Sequence, residues 1–327
     1  MPEQGNQQGA HPNSVRIGVC TDTHYWLNYE KYLSEESHFP FQYEPEPLLR
    51  MLLAELEEAH LDMIFHLGDF ICGGGAFHME RDAFYIALSF LSQQLLSLPT
   101  PVYALPGNHD CPPGGGDWAY FERLWGLHRG QGETIELDNA TLILLNAQGH
   151  SPAQVEEASP VDPVYGWVCE EELARLDTAL AAAGDTPVFL FLHQLLYPWT
   201  PEIGNQTWVD FYAVKNADAV LDVMAAHGNV RAVFQGHAHR LDVQTRAVGS
   251  CDCQFIILPS VVDYPAGWTL LELTDTHLHM QLMRLPVAEL PRNALAIEGD
   301  ESRPHQKLDA DDWRGGKTAW QNLTIPL

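Results

Sequence analysis

The chain has 327 residues, and 17 Lys plus Arg stand against 44 Asp plus Glu, a formal net charge of −27 at pH 7. Hydrophobic residues make up 46 % and aromatics 10 %, which supports a sizeable core without disulfides and excludes wholesale disorder. Charge of this sign repels a phosphate backbone, so a nucleic-acid polymer is excluded as a partner, and an anionic substrate needs a local source of positive charge.

Residues 1–14 read as a disordered polar tail with no apolar segment of the secretory type. Nothing in the chain reaches the ~18 consecutive apolar residues of a membrane span, so no membrane partner and a cytoplasmic location are expected. The six cysteines show no C-x-x-C pair and read as reduced thiols.

Residues 15–20 form an apolar run that reads as a buried strand and ends at Asp22-Thr23-His24. An aromatic-rich loop over 25–44 precedes a helix over 47–60, with Pro47 in its first turn and leucines along one face. A strand over 61–67 ends at Gly68-Asp69, and a helix over 80–97 follows. A third strand, 101–105, ends at Gly107-Asn108-His109-Asp110. The second half reads as a hairpin (133–137 and 141–146), a Pro-rich loop (151–166) and a helix over 170–183. A strand over 187–192 then ends at His193. After a loop over 198–210 come a helix over 216–227 and a strand over 230–234 that ends at Gly236-His237-Ala238-His239. Strands are predicted at 254–258, 268–273 and 277–284, and the last forty residues are weakly patterned.

Metal-ligand residue types thus follow five separate apolar runs: Asp22 with His24, Asp69, Asn108, His193, and His237 with His239. In strand-like geometry the middle residue of D-x-H or H-x-H points away while the flanking pair shares one side, so two such pairs can close on one point. The donors suit two divalent ions sharing a carboxylate, and mixed carboxylate and imidazole ligation fits Mn, Fe, Zn or Co better than Ca or Mg. Singly each motif is weak: a strand-end His is commonly structural, and Gly107-Asn108 alone could be a turn. The ordered set carries the argument.

That set, DTH (22–24), GD (68–69), GNHD (107–110), His193 and GHAH (236–239), resembles the calcineurin-like metallophosphoesterase superfamily over about residues 15–285. In pattern it is most similar to the class III cyclic-nucleotide and glycerophosphodiester phosphodiesterase branch. The resemblance implies an α/β fold, a four-layer αββα sandwich of two mixed β-sheets flanked by helices, with the metal site at strand C-terminal ends. Residues 286–327 would then be a C-terminal extension. It implies one metal held by Asp22, His24, Asp69 and His239, and another by Asp69, Asn108, His193 and His237, the pair being divalent or mixed-valence Mn, Fe or Zn. A hydroxide bridging the two would attack phosphorus in line. His109 would protonate or stabilise the leaving oxygen, the alternative being a supporting strut. Many relatives carry an acid three residues after the GD aspartate to orient that histidine. Cys72 stands there in this chain, so Asp110 or another acid must serve, or His109 is less basic.

The expected function is a phosphodiesterase on a small phosphorylated substrate. The rivals are a phosphomonoesterase or nucleotide pyrophosphatase on the same site, and a non-catalytic binding scaffold of the same fold. Arg240 could clamp a phosphate, or lie solvated on the surface. The aromatic loop, with Trp199 and Trp208, could wall a pocket or simply be buried. Asp263 to Gly267 reads as a turn. His277-Leu278-His279 mimics a metal pair with no carboxylate motif beside it and reads as structural. Arg314 to Thr318 lacks the first glycine of a phosphate-binding loop, since Asp311 occupies that position. Relatives often pair, so a homodimer is an expectation from resemblance.

Overall fold

The computed structural model describes residues 14–26, 45–74, 79–113, 117–157, 165–197, 212–263, 265–287 and 315–327. Residues 1–13 of the predicted tail, most of the aromatic loop, Trp199, Trp208 and Arg314 lie outside these residues.

The elements in chain order are β1 (Val15–Cys20), α1 (Pro45–Glu58), β2 (Met63–His66), α2 (Arg81–Leu96), β3 (Val102–Ala104), α3 (Ala119–Trp125), β4 (Glu133–Glu136) and β5 (Thr141–Leu144). They continue with α4 (Pro152–Glu157), α5 (Glu170–Ala183), β6 (Val188–Leu192), α6 (Ala217–His227), β7 (Val230–Gln235), β8 (Asp242–Val248), β9 (Cys251–Ile257), β10 (Gly267–Leu273), β11 (His277–Arg284) and β12 (Asn322–Pro326). They build two six-stranded sheets, β12-β11-β10-β1-β2-β3 and β4-β5-β6-β7-β9-β8. In the first, β1, β2 and β3 run parallel and β10 is antiparallel to β1. In the second, β5, β6, β7 and β9 run parallel, with β4 and β8 antiparallel at the edges.

Strand periodicity explains the layering. On β1, Ile17 and Val19 enter the core between the sheets while Cys20 faces α1, and on β6, Phe189 and Phe191 face inward while Val188, Leu190 and Leu192 face α5 and α6. Such strands are covered on both faces, which is why they read as continuous apolar runs rather than alternating ones. Leu48, Leu49, Leu52 and Leu56 are the buried face of α1, and Phe84, Leu88, Leu91 and Leu95 are buried on α2. The result is the expected helix-sheet-sheet-helix sandwich. All six cysteines are free thiols, as expected, and among the described residues no helix is long and apolar enough to cross a membrane.

Four elements were not expected. α3 and α4 are short, and α4 falls in the stretch read as a Pro-rich loop. β8 is a half-exposed edge strand, so its sequence has too few buried positions to show a pattern. β12 comes from the weakly patterned C-terminal segment, and it exists because its backbone pairs with β11 from His277↔Pro326 to Gln281↔Asn322.

Candidate metal centre

All five motif runs converge where the C-terminal ends of β1, β2 and β3 meet those of β6 and β7. Asp22, His24, Asp69, Asn108, His193, His237 and His239 are all buried. Donor atoms of Asp22, His24 and His239 form one group that could hold a metal, and those of Asp69, His193 and His237 form another. Asp69 stands between them, with Oδ2 3.6 Å from His24 Nε2 and 3.2 Å from His193 Nε2. His239 Nε2 lies 3.2 Å from both Asp22 Oδ1 and His24 Nε2. Asn108 Oδ1 lies 3.1 Å from His193 Nε2.

The local backbone is not strand-like, which corrects the reasoning used for D-x-H and H-x-H. Asp22, His24, Asp69, His237 and His239 all have positive φ, between 42° and 66°. Left-handed backbone at a non-glycine residue costs of order 1–3 kcal/mol and persists only when its surroundings over-determine it. Here they do. Asp22 N–H donates to Gly68 O at 2.9 Å and His24 N–H to Asp69 O at 3.0 Å. Asp22 Oδ2 accepts from Thr21 Oγ1 at 2.7 Å and from His237 N–H at 2.9 Å. Asp110 closes the third loop, accepting from Gly107 N–H at 2.8 Å and Phe70 N–H at 2.9 Å.

The motif glycines follow from this crowding. A Cβ on Gly107 would sit 2.1 Å from Asp69 Oδ1, and one on Gly236 would sit 2.2 Å from Thr21 Oγ1 and 2.9 Å from Asp22 Oδ2. Neither position has room for a side chain.

The cluster neutralises its own charge with protons. Burial alone would raise both carboxyls, but the neighbouring imidazoles reverse this, chiefly His239 for Asp22 and His193 for Asp69, and hold both well below the usual carboxylate range. Burial works against a charged His239, yet Asp22 and Asp263 push it up to about 9, and Asp69 likewise raises His193. Burial pushes His24 down, and takes His237 down to about 3.

The residues fit a metal. His237 Nε2 is buried with no hydrogen-bond partner, an unsatisfied imidazole nitrogen of the kind a cation fills. His193 Nδ1 lies 2.9 Å from Leu67 O, and a carbonyl only accepts, so Nδ1 carries the proton and Nε2 turns its lone pair to the cluster when the ring is neutral.

His109 is half-buried beside the cluster. Its backbone N–H donates to Asp69 Oδ1 at 2.8 Å, its ring centroid is 5.2 Å from that of His24, and it forms a third metal-capable group with His24 and Asp69. Its Nδ1 lies 3.2 Å from the backbone oxygen of Gly73. The carbonyl of Gly73 therefore stands where an acid was sought. Asp110 is spent on backbone amides instead, and the Cys72 thiol donates to His24 O at 3.2 Å.

Arg240 is fully buried, with Nη2 3.1 Å from Asp242 Oδ2, so it is not the solvated surface side chain considered above. Asp263, read as part of a turn, places Oδ2 3.8 Å from His239 Nδ1. His66 falls within the strand predicted over 61–67. It is fully buried, with Nδ1 accepting from Gly68 N–H at 3.2 Å and Nε2 2.5 Å from Thr23 Oγ1. Only its position three residues before Asp69 could have hinted at this.

A two-sheet α/β sandwich with buried Asp and His side chains gathered at parallel strand ends defines a metallophosphoesterase-type scaffold. The chain belongs to the calcineurin-like phosphoesterase family, whose profile matches residues 15–241. It is 26 % identical over 192 residues to a 3',5'-cyclic-nucleotide phosphodiesterase of Nostoc, a match spanning 58 % of this chain and 60 % of that one. It is 24 % identical over 203 residues to the 3',5'-cyclic adenosine monophosphate phosphodiesterase CpdA of Haemophilus influenzae, over 58 % of this chain and 65 % of that one. Its fold is similar to that of a dimetal phosphatase from Danio rerio, at TM-score 0.60 and 19 % identity, over 83 % of this chain and 96 % of that one.

Proposed function

We propose that this protein is a dinuclear metal-dependent phosphodiesterase acting on small organic phosphodiesters, with cyclic nucleotides the leading substrate class. The observation that carries the reading is Asp69, one buried carboxylate within 3.6 Å of His24 Nε2 and 3.2 Å of His193 Nε2, placed to be shared by both groups of donors. The names of the Nostoc and Haemophilus relatives support the diester class.

Asp22, His24, Asp69 and His239 would hold one cation, and Asp69, Asn108, His193 and His237 the other. First-row ions such as Mn, Fe or Zn suit these donors. When bound, such ions supply Lewis acidity toward a phosphate and a nucleophile at neutral pH. Two divalent cations carry about +4 against −2 from Asp22 and Asp69, which would make the site positive within an acidic protein.

His109 acts on the leaving group in this reading. With Nδ1–H donating to Gly73 O, Nε2 is the atom that holds the transferable proton.

Initial rates on bis(p-nitrophenyl) phosphate, p-nitrophenyl phosphate and 3',5'-cyclic AMP, with metal content measured on the same protein, test the reading. Turnover of both diesters above the monoester, with close to two ions per chain, is the expected result. Monoester preference would overturn the diesterase reading, and one ion per chain would overturn the dinuclear one.

A further inference from the structure

His277 and His279 lie on β11 on either side of Leu278. Leu278 and Met280 point into the core between the sheets, so both imidazoles stand on the outer face of the first sheet, partly exposed. Their rings are stacked, with centroids 5.8 Å apart and 26° between planes. Each Nδ1 is engaged by a threonine hydroxyl: His277 Nδ1 lies 2.8 Å from Thr276 Oγ1, and His279 Nδ1 lies 2.9 Å from Thr324 Oγ1. When those nitrogens donate to the hydroxyls, Nε2 on both rings becomes the lone-pair atom, the tautomer that a metal-ligating histidine adopts.

We propose that His277 and His279 form a second, surface metal site: a two-imidazole chelate for one borderline divalent transition cation, with water completing the coordination. The second threonine hydroxyl comes from β12, through the register His279↔Thr324, so the C-terminal strand helps to build the site.

The site is separate from the Asp/His cluster. Leu273 pairs with Leu278 beside His277 and also with Val15 at the start of β1, whereas the cluster follows Cys20 at the other end of that strand. Glu272 lies opposite His279 in register and adds negative charge. Its Oε1 lies 2.9 Å from Ser14 Oγ and 3.7 Å from Arg16 Nη1, which turns that oxygen toward β1, and the proposed protein donors are the two imidazoles. A pair of nitrogen donors without a carboxylate discriminates between ions: Cu2+ binds most tightly, Ni2+ and Zn2+ less so, and Mn2+ or Mg2+ scarcely.

The same order favours Cu2+ over Mn2+ at the Asp/His cluster, so substitution of the two histidines is what separates the sites experimentally. Tag-free protein is first loaded with Mn2+, then titrated with Cu2+ under electron paramagnetic resonance and calorimetry. The expected result is one Cu2+ equivalent with nitrogen ligation from two imidazoles, in addition to any Cu2+ that exchanges for Mn2+ in the Asp/His cluster. His277→Ala and His279→Ala should each weaken it by roughly tenfold or more, as a chelate is reduced to a single imidazole. His60→Ala, which removes an exposed histidine elsewhere, should leave it unchanged. Survival of the two-imidazole Cu2+ equivalent in the His277→Ala/His279→Ala double variant overturns the proposal, as does wild-type protein that takes up no Cu2+ beyond the Mn2+ it releases.

Discussion

His66 Nε2 lies 2.5 Å from Thr23 Oγ1, and this contact ties together the two loops that carry Asp22, His24 and Asp69. Gly68 N–H donates to His66 Nδ1, so Nε2 must carry the ring proton and donate it to the hydroxyl. Burial holds the ring down at about 3, which keeps it neutral and the arrangement intact across the working range of pH. The ring also packs on Phe70, with centroids 3.6 Å apart. His66→Ala should therefore lower metal affinity by roughly 10- to 100-fold, the usual effect of removing a group that orients ligands. Chelator competition measures this, and circular dichroism checks that the fold persists. His66→Gln, which can restore a donor near Nε2, should recover part of the loss; equal affinity in wild type and His66→Ala would sink the idea.

In the proposed reading both cations share Asp69, so Asp69→Asn should weaken both positions. Activity should fall by roughly 10²–10³-fold or more, and metal content should drop at both positions rather than one. Elemental analysis alongside initial rates checks both parts.

His109→Ala tests a different role. The reading places His109 on the leaving group, so kcat should fall by about 10²–10⁴-fold while metal content stays near the wild-type value. Loss of metal in step with activity would instead make it a ligand, which its group with His24 and Asp69 allows geometrically.

Metal uptake should release protons. Without a cation, His239 is raised to about 9 by Asp22 and Asp263 against the opposing effect of burial, and His193 is raised by Asp69. At neutral pH the His239 ring is then protonated, with His193 shifted in the same direction, and a cation must displace the proton from His239. The sign follows: affinity rises with pH and levels off above about 9 for the His239 contribution. Titration calorimetry in buffers of differing ionisation enthalpy reads the number of protons released, and a value near zero at pH 7 would contradict a protonated His239.

Gly107→Ala should damage the site before it damages the fold. Its Cβ would lie 2.1 Å from Asp69 Oδ1 and 2.2 Å from Asp69 N, so Asp69 must shift or the loop must open. A loss of about 1–3 kcal/mol in stability is expected, with a larger fall in metal retention. Denaturant melts in the presence and absence of metal separate the two.

The sequence by itself determined the order of the buried strands and which letters follow each one. Strands covered on both faces must be apolar throughout, so 15–20, 61–67 and 187–192 stood out without any knowledge of their neighbours. The donor residues are adjacent to those runs, and adjacency is a local property. What the pattern lacked was β8 and β12, whose strand state comes from pairing at sheet edges rather than from burial.

Only the tertiary structure decided the rest, because it depends on groups far apart in the chain. The left-handed backbone at Asp22, His24, Asp69, His237 and His239 is held by hydrogen bonds between loops, not by local propensity. The group facing His109 Nδ1 is a main-chain oxygen, which no residue letter can announce. The burial of Arg240, and the bracing of Thr23 by His66, follow from which strands became neighbours when two sheets closed on one core.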